Sequence, residues 1–489
     1  VNRLTPPEPT ETENGFLHAV AAGERLDLTD GPAPELRAEL IRQVVLDQHE
    51  SPADPRGIWV RGARIVGALD LAEVDSPLPL RLLDCRADEP IRLMGGRFPA
   101  LDLSGLVGVG IAAQEAEIAR TLTLRDARLH NAGPYPVVHL GGCRIGGLLN
   151  LSGTRLSTPE GVALQASNLR TGGGVFLNQG FSAEGGAELG AVRLPGAELG
   201  GQLNMGGARV VNPNGPALVA DYLRTGSNVM LNHGFAAEGR RDSGTVRLVG
   251  ARIGGRLMCE GGRASALAPG DLAVNLSRVE VGGDVLLPAS FAEGALDVNG
   301  LTYTGTISEA TLAEWLELLA TRTTYYASQP YFQLAAAHRA AGHERDVRRI
   351  HIARQRDLLR RGDLGFWGRL WHRVTGLTVG YGYRPGLALL WLLGAVLGSV
   401  LLTVGVAGSA GLVDRAGAPG RCSVVEQVGL AVGAATPLIR TDGTQRCVID
   451  ASGGLGQAVI AGNWVLQALT WAFLTLFVAG FTGLMRRSV

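Results

Sequence analysis

The 489-residue sequence predicts a mainly β protein, a parallel β-helix or solenoid with a double-coil repeat of about 54 residues. A helical connector and two transmembrane helices are expected to follow it. Three observations predict this. Glycine-centred motifs recur at a fixed spacing. Within each copy, apolar residues alternate over four to six positions and end at Gly, Asn or Ser. Near the end of the chain, two long stretches carry no charge.

Residues 1–57 form an N-terminal segment. "VNRLTPPEPTETENG" is polar and proline-rich without an apolar h-region, so no secretory signal is expected and the N-terminal body is placed in the cytoplasm. "ELRAELIRQVVLDQ" (35–48) has helical spacing and stands just before the first coil. A helix there would cap the open edge of a solenoid.

Residues 58–305 are the repeat domain. "GCRIGGLLNLSGTRL" (142–156), "GAELGGQLNMGGARV" (196–210) and "GARIGGRLMCEGGRA" (250–264) stand 54 residues apart. "NLRTGGGVFLNQGFSAEG" (168–185) and "YLRTGSNVMLNHGFAAEG" (222–239) alternate with them at the same period. Strands this short, on coils of roughly 26 to 28 residues, bury a face only by stacking on neighbouring coils. A β-sandwich would not produce a fixed period. Glycine is expected at corners that need positive φ. Asn178 and Asn232 occupy equivalent repeat positions and are expected to stack as a ladder inside the coil, while Cys85, Cys143 and Cys259 are expected to be small core residues.

Residues 306–373 read as a helical, arginine-rich connector. Thr311 and Glu314 are spaced as a capping box in "SEATLAEWLELLATR" (308–322). Pro330 opens a second helix, Gly342 breaks it, and "ERDVRRIHIARQRDLLRRG" forms a third. Ten arginines against four acids lie between Arg339 and Arg373, with Trp367 and Trp371 nearby, a pattern that anchors a chain to the cytoplasmic leaflet.

Residues 374–489 form the membrane domain. Residues 385–413 and 451–485 are uncharged, longer than the roughly 20 residues that cross a bilayer. Spans are expected at about 386–408 and 463–485. Basic residues before the first and after the second place both termini on the cytoplasmic side of the inner membrane. The intervening loop, about 414–450, then faces an oxidising compartment and holds Cys422 and Cys447, a candidate disulfide. Asn463 is a polar residue in hydrocarbon and is expected to contact another helix or subunit. "TVGYG" (378–382) has the letters of a potassium-channel filter but lacks a preceding span and pore helix. It reads as a turn followed by the interfacial anchors Tyr381, Tyr383 and Arg384. Residues 422–439 are apolar enough to dip into the bilayer between the two spans, and an interfacial ectodomain loop is the alternative.

No motif names a reaction. Gly108, Gly110 and Ala113 fit the loosest dinucleotide fingerprint, but a strand–turn–helix is needed there and the segment returns to repeat alternation by Thr121. The chain has no lysine for a P-loop and no Cys-x-x-Cys pair. His338 and His343 flank Gly342 without metal-ligand spacing, and Asp70, Asp84 and Asp102 share no coil position. No catalytic residue, metal or cofactor is predicted. Net charge is zero, which gives no reason to expect a nucleic-acid partner.

"VRGARIVGALDLAEV", the "GARIGGRL" copies, "PYFQLAAAHRAAGHERDVRRIHIARQRD" and "YGYRPGLALLWLL" together resemble a group of actinobacterial membrane proteins with β-helix repeats, many labelled membrane-associated oxidoreductase. The resemblance implies the architecture above. Its label implies an oxidoreductase whose cofactor site no motif reveals. The residues themselves suggest a membrane-anchored binding, scaffolding or sensing module. Its partners would be lipids, a protein on the β-helix surface and further copies through the spans. A small ion-conducting module is the other alternative.

Overall fold

The computed structural model describes residues 8–29, 33–48, 52–381, 383, 386–417, 420–436 and 443–481. They fall into two units, residues 1–347 and 348–489.

In the first unit the chain visits four parallel sheets in turn, of 12, 11, 9 and 9 strands. One circuit runs through Leu80–Leu83, Arg86–Ala87, Ile91–Arg92 and Arg97–Phe98, and returns to the first sheet at Leu101–Asp102. Each short strand pairs with its counterpart one circuit on. Leu80, Leu101, Leu122, Leu149, Val175, Leu203, Val229, Leu257 and Val285 therefore stand in one buried column. The stacking supplies the burial that no single coil can provide. Cys85, Cys143 and Cys259 are buried among these coils; burial pushes the Cys85 thiol up to about 11 and the Cys143 thiol to about 12.

The coils are not of one size. Leu80 pairs with Leu101, and Leu101 with Leu122, so the early circuits are shorter than the 26 to 28 residues expected. The difference lies between the second and third sheets. There Ala87 is followed closely by Ile91, whereas His130 and Val138 are separated by a loop. Similar loops recur in later circuits and stack on one another. Thr158 Oγ1 donates to Gly133 O (3.3 Å), Asn212 Nδ2 to Ala187 O (2.8 Å) and Asn214 Nδ2 to Gly186 O (3.1 Å).

The corner from the third to the fourth sheet follows a strict rule. It is left-handed in successive circuits and is held alternately by a large residue and a glycine: Glu73, Gly95, Glu115, Gly142, Asn168, Gly196, Tyr222, Gly250, Arg278, Gly300. The large side chain lies over the glycine of the next circuit. A Cβ at Gly196 would stand 2.6 Å from Asn168 Oδ1, at Gly250 2.9 Å from the Tyr222 ring, and at Gly300 3.0 Å from Arg278 Cγ. Glycine is thus needed at every second corner only.

Asn178 and Asn232 do not form the expected ladder. The circuit between them carries Gly206, and the two find separate partners: Ser152 Oγ donates to Asn178 Oδ1 (2.7 Å), and Asn232 Nδ2 to Glu260 Oε1 (3.0 Å).

Both ends of the stack are covered. At the start, helix α1 (Glu11–Ala22), which the polar composition concealed, opens on a capping box between Thr10 and Glu13. The helix expected over 35–48 is shorter. Glu35–Arg37 is a strand paired with Arg64–Val66, and α2 spans Ala38–Val45. Glu13 is buried and takes a charge-assisted pair from Arg37 (2.6 Å), which ties α1 to that strand. The Arg37 guanidinium holds the Glu13 carboxyl down at about 2. At the far end, α3 (Leu312–Thr321) has Thr311 and Glu314 in a reciprocal capping box and buries Trp315, Leu318 and Leu319. Helix α4 (Gln329–Ala340) covers the last circuit's edge with amides: Gln329 Nε2 donates to Leu301 O, Gln333 Nε2 to Tyr303 O, and Gln329 Oε1 accepts from Gly300 N. Helix α5 (Glu344–Arg361) follows the left-handed Gly342.

In the second unit, α6 (Phe366–Val379) precedes α7 (Gly386–Val400), which a π-helical stretch, Leu401–Gly408, prolongs. After α8 (Val424–Ala435) and the short α9 (Gly443–Arg446) comes α10 (Gly454–Phe481). The two helices long and apolar enough to cross a membrane are Gly386–Gly408 and Gly454–Ala479. The second starts nine residues before the expected 463, because "GLGQAVIAG" continues the helix without a break; its expected end at 485 lies outside the described residues.

Two outcomes test this packing. Gly196→Ala should destabilise the protein by about 1–3 kcal/mol in thermal unfolding, from a left-handed Cβ and its clash with Asn168. Adding Asn168→Gly should recover part of that loss. Glu13, whose carboxyl titrates lower in the fold, contributes stability above its ordinary value of 4.5 and loses it as pH falls toward 2. Hydrogen-exchange protection of α1, corrected for intrinsic rates, should fall by about 2 kcal/mol across that window and be pH-independent there in Glu13→Gln.

Candidate functional site

The second unit presents apolar surface outward. On α6, Phe366, Trp367, Leu370, Trp371, Val374 and Leu377 recur at helical spacing and are all exposed, Trp367 by 77% and Trp371 by 61%. The two long helices have only 22% and 17% of their most apolar windows buried, and Leu390, Leu393, Leu397, Trp464 and Val465 face outward. The core helix of a water-soluble protein would bury these residues.

Polar groups turn inward instead. Ser399 and Thr403 are fully buried on the first long helix and Asn463 is nearly so on α10. Ser399 Oγ donates to Asn463 Oδ1 (2.7 Å), Asn463 Nδ2 donates to Thr403 Oγ1 (3.1 Å), and Ser399 Oγ is 3.1 Å from the Ala431 carbonyl of α8. Asn463 therefore meets a partner helix of its own chain. Helix α8 starts at the strand pair Val413–Arg415/Cys447–Ile449, where Cys422 and Cys447 form a disulfide with Cα atoms 6.2 Å apart. Its Gln427 reaches Gly408, and its Ala431 reaches Ser399, near the middle of the first long helix. A short apolar helix thus runs inward between two long ones.

The filter-like letters are divided. Thr378 and Val379 complete the last turn of α6, Thr378 Oγ1 donates to Val374 O, and Gly380 is its left-handed C-cap. Tyr381 packs over Gly376, and Tyr383 stacks on His351 with ring centroids 5.2 Å apart. Gly382 and Arg384 lie outside the described residues. Beside this turn is a cleft of about 630 Å³ with an apolar wall of Leu387, Leu390 and Trp391, and Arg356 as its charged lining residue.

On the first unit, Gly108 and Gly110 sit at coil positions, and the chain passes Ala113 into the strand Glu117–Ile118 with no helix among these residues. A Cβ at either glycine would approach a neighbouring coil's carbonyl to 2.6 Å, so these glycines admit backbone. Asp84 pairs with Arg61 (2.6 Å), and Asp102 Oδ1 accepts from Ser104. The fourth sheet carries an outward ladder in which Glu117 pairs with Arg97 and Arg144, Glu198 with Arg170 and Arg224, and Glu280 with Arg252. On this face acids and arginines pair across circuits. The stacked loops expose Tyr135, Leu189 and Leu267. Sequence spacing alone missed one cluster: the Gly342 turn brings His338, His343 and Asp346 together.

No protein-family model, no curated protein and no solved structure matches this chain.

Asn463→Leu should cost about 1–2 kcal/mol in the second unit, measured by unfolding in detergent, because Ser399 and Thr403 lose a shared partner in an apolar surround.

Proposed function

We propose that this protein is a membrane-anchored solenoid that acts as a binding or scaffolding module at the cytoplasmic face of the inner membrane. The observation that carries it is the exposed apolar surface of α6 and the two long helices, adjoining an interior where Ser399, Thr403 and Asn463 satisfy one another. A bilayer covers such a surface at no cost in unpaired polar groups. The α-helical part of the first span, Gly386–Val400, rises about 22 Å at 1.5 Å per residue, and the π-helical Leu401–Gly408 prolongs it toward the hydrocarbon core of about 30 Å. The disulfide supports an extracytoplasmic 414–450, the arginines of α5 support a cytoplasmic α5, and α6 would lie in the interface with Trp367 and Trp371 as anchors. Arg356 at the cleft beside Tyr381 would meet lipid headgroups. The solenoid would offer its loop ledge, with Tyr135, Leu189 and Leu267, to a protein partner. The 54-residue sequence period would be two coils, one with a large corner residue and one with a glycine.

One observation favours a second reading. The contact of Ala431 with Ser399 would bring α8 to about mid-depth, giving the span–dip–span order of an ion-conducting module.

The topology is tested by thiol labelling after reduction. Cys422 and Cys447 should react with an impermeant maleimide in right-side-out vesicles and be protected in inverted ones, and the protein should resist carbonate extraction. Release by carbonate overturns the anchored reading. Proteoliposomes tight to K⁺ keep α8 structural. Flux abolished when 424–435 is replaced by a polar linker establishes the conducting reading.

A further inference from the structure

The connection between α4 and α5 gathers three metal-ligating side chains. His338 lies in the last turn of α4, Gly342 makes the left-handed turn, His343 immediately precedes α5, and Asp346 is in its first turn. Backbone bonds fix the turn: His343 N donates to His338 O (2.9 Å) and Asp346 N to His343 O (3.0 Å). The two imidazoles lie 5.9 Å apart at an angle of 52°. One ligand atom from each of the three residues lies within 4.8 Å of the others.

His338 Nδ1 is the telling atom. It is buried and has no hydrogen-bond partner. Buried polar atoms almost always have one. Asp346 Oδ2 stands 3.8 Å from it, too far for a hydrogen bond. A gap of this size between two ligand atoms suits an ion, since donors about 2.0–2.1 Å from a tetrahedral metal stand roughly 3.3 Å apart. His343 is exposed, and a rotation of its side chain would close the remaining distance.

We infer that His338, His343 and Asp346 form a divalent transition-metal site at the α4–α5 turn. Two imidazoles and a carboxylate suit Zn²⁺, with water in the fourth position. The N-terminal end of α5 opposes a cation, but such dipole effects amount to about 0.3–1 kcal/mol, small beside metal–ligand bonding. Bound metal would pin the end of α4, whose glutamines cover the last circuit, to the first turn of α5. The site does not depend on the membrane reading.

The test is Zn²⁺ titration of the untagged full-length protein in detergent, in competition with a chromophoric chelator, with Co²⁺ absorption as a second readout. One Zn²⁺ per chain is expected at micromolar affinity or tighter, with a tetrahedral Co²⁺ spectrum. Affinity should fall at least tenfold in His343→Ala, whose exposed side chain leaves folding intact, and in His338→Ala and Asp346→Asn. Absence of binding at millimolar Zn²⁺, or binding of equal strength in the His338→Ala/His343→Ala double variant, overturns the site.

Discussion

The solenoid depends on its left-handed corners. Between the third and fourth sheets the backbone must turn with positive φ in every circuit, a conformation that costs most side chains free energy. Successive circuits lie about 4.8 Å apart, so a side chain on one corner overlies the next corner. Glu115 over Gly142, Asn168 over Gly196 and Tyr222 over Gly250 meet both demands with one glycine for every two turns. The large residue bears the strain of the left-handed turn, and its neighbour gives up a Cβ to make room.

Once the corners are set, the strands need only two residues each. Their inward Leu and Val form a continuous column, and register is fixed by the stack. The loops after the second sheet can vary because they project from the stack, and they keep order by bonding to one another. The open edges at either end are closed differently. Glu13 and Arg37 join α1 to the first strands, while side-chain amides of α4 pair with backbone of the last circuit.

The second unit inverts this arrangement. Its interior is polar at Ser399, Thr403 and Asn463, and its exterior is leucine and tryptophan. In water such a surface would be a liability. In hydrocarbon the inward polar groups hold helices together because no solvent competes for them.

How much of this was legible follows from the range of each interaction. The capping box of Thr311 and Glu314, the turn at Gly342 and the length of the apolar segments depend on residues close in sequence, and composition or spacing reveals them. The pairing of Cys422 with Cys447 was readable because no other cysteine shares their loop. By itself the sequence determined a repeating, glycine-turned β architecture and two long apolar helices. Only the tertiary structure decided the shorter early coils, the separate partners of Asn178 and Asn232, and the approach of Ala431 to Ser399. It also decided the convergence of His338, His343 and Asp346. Those depend on which residues stack one circuit apart, meet across a turn or lie on packed helices, and burial and register decide that only in the folded chain.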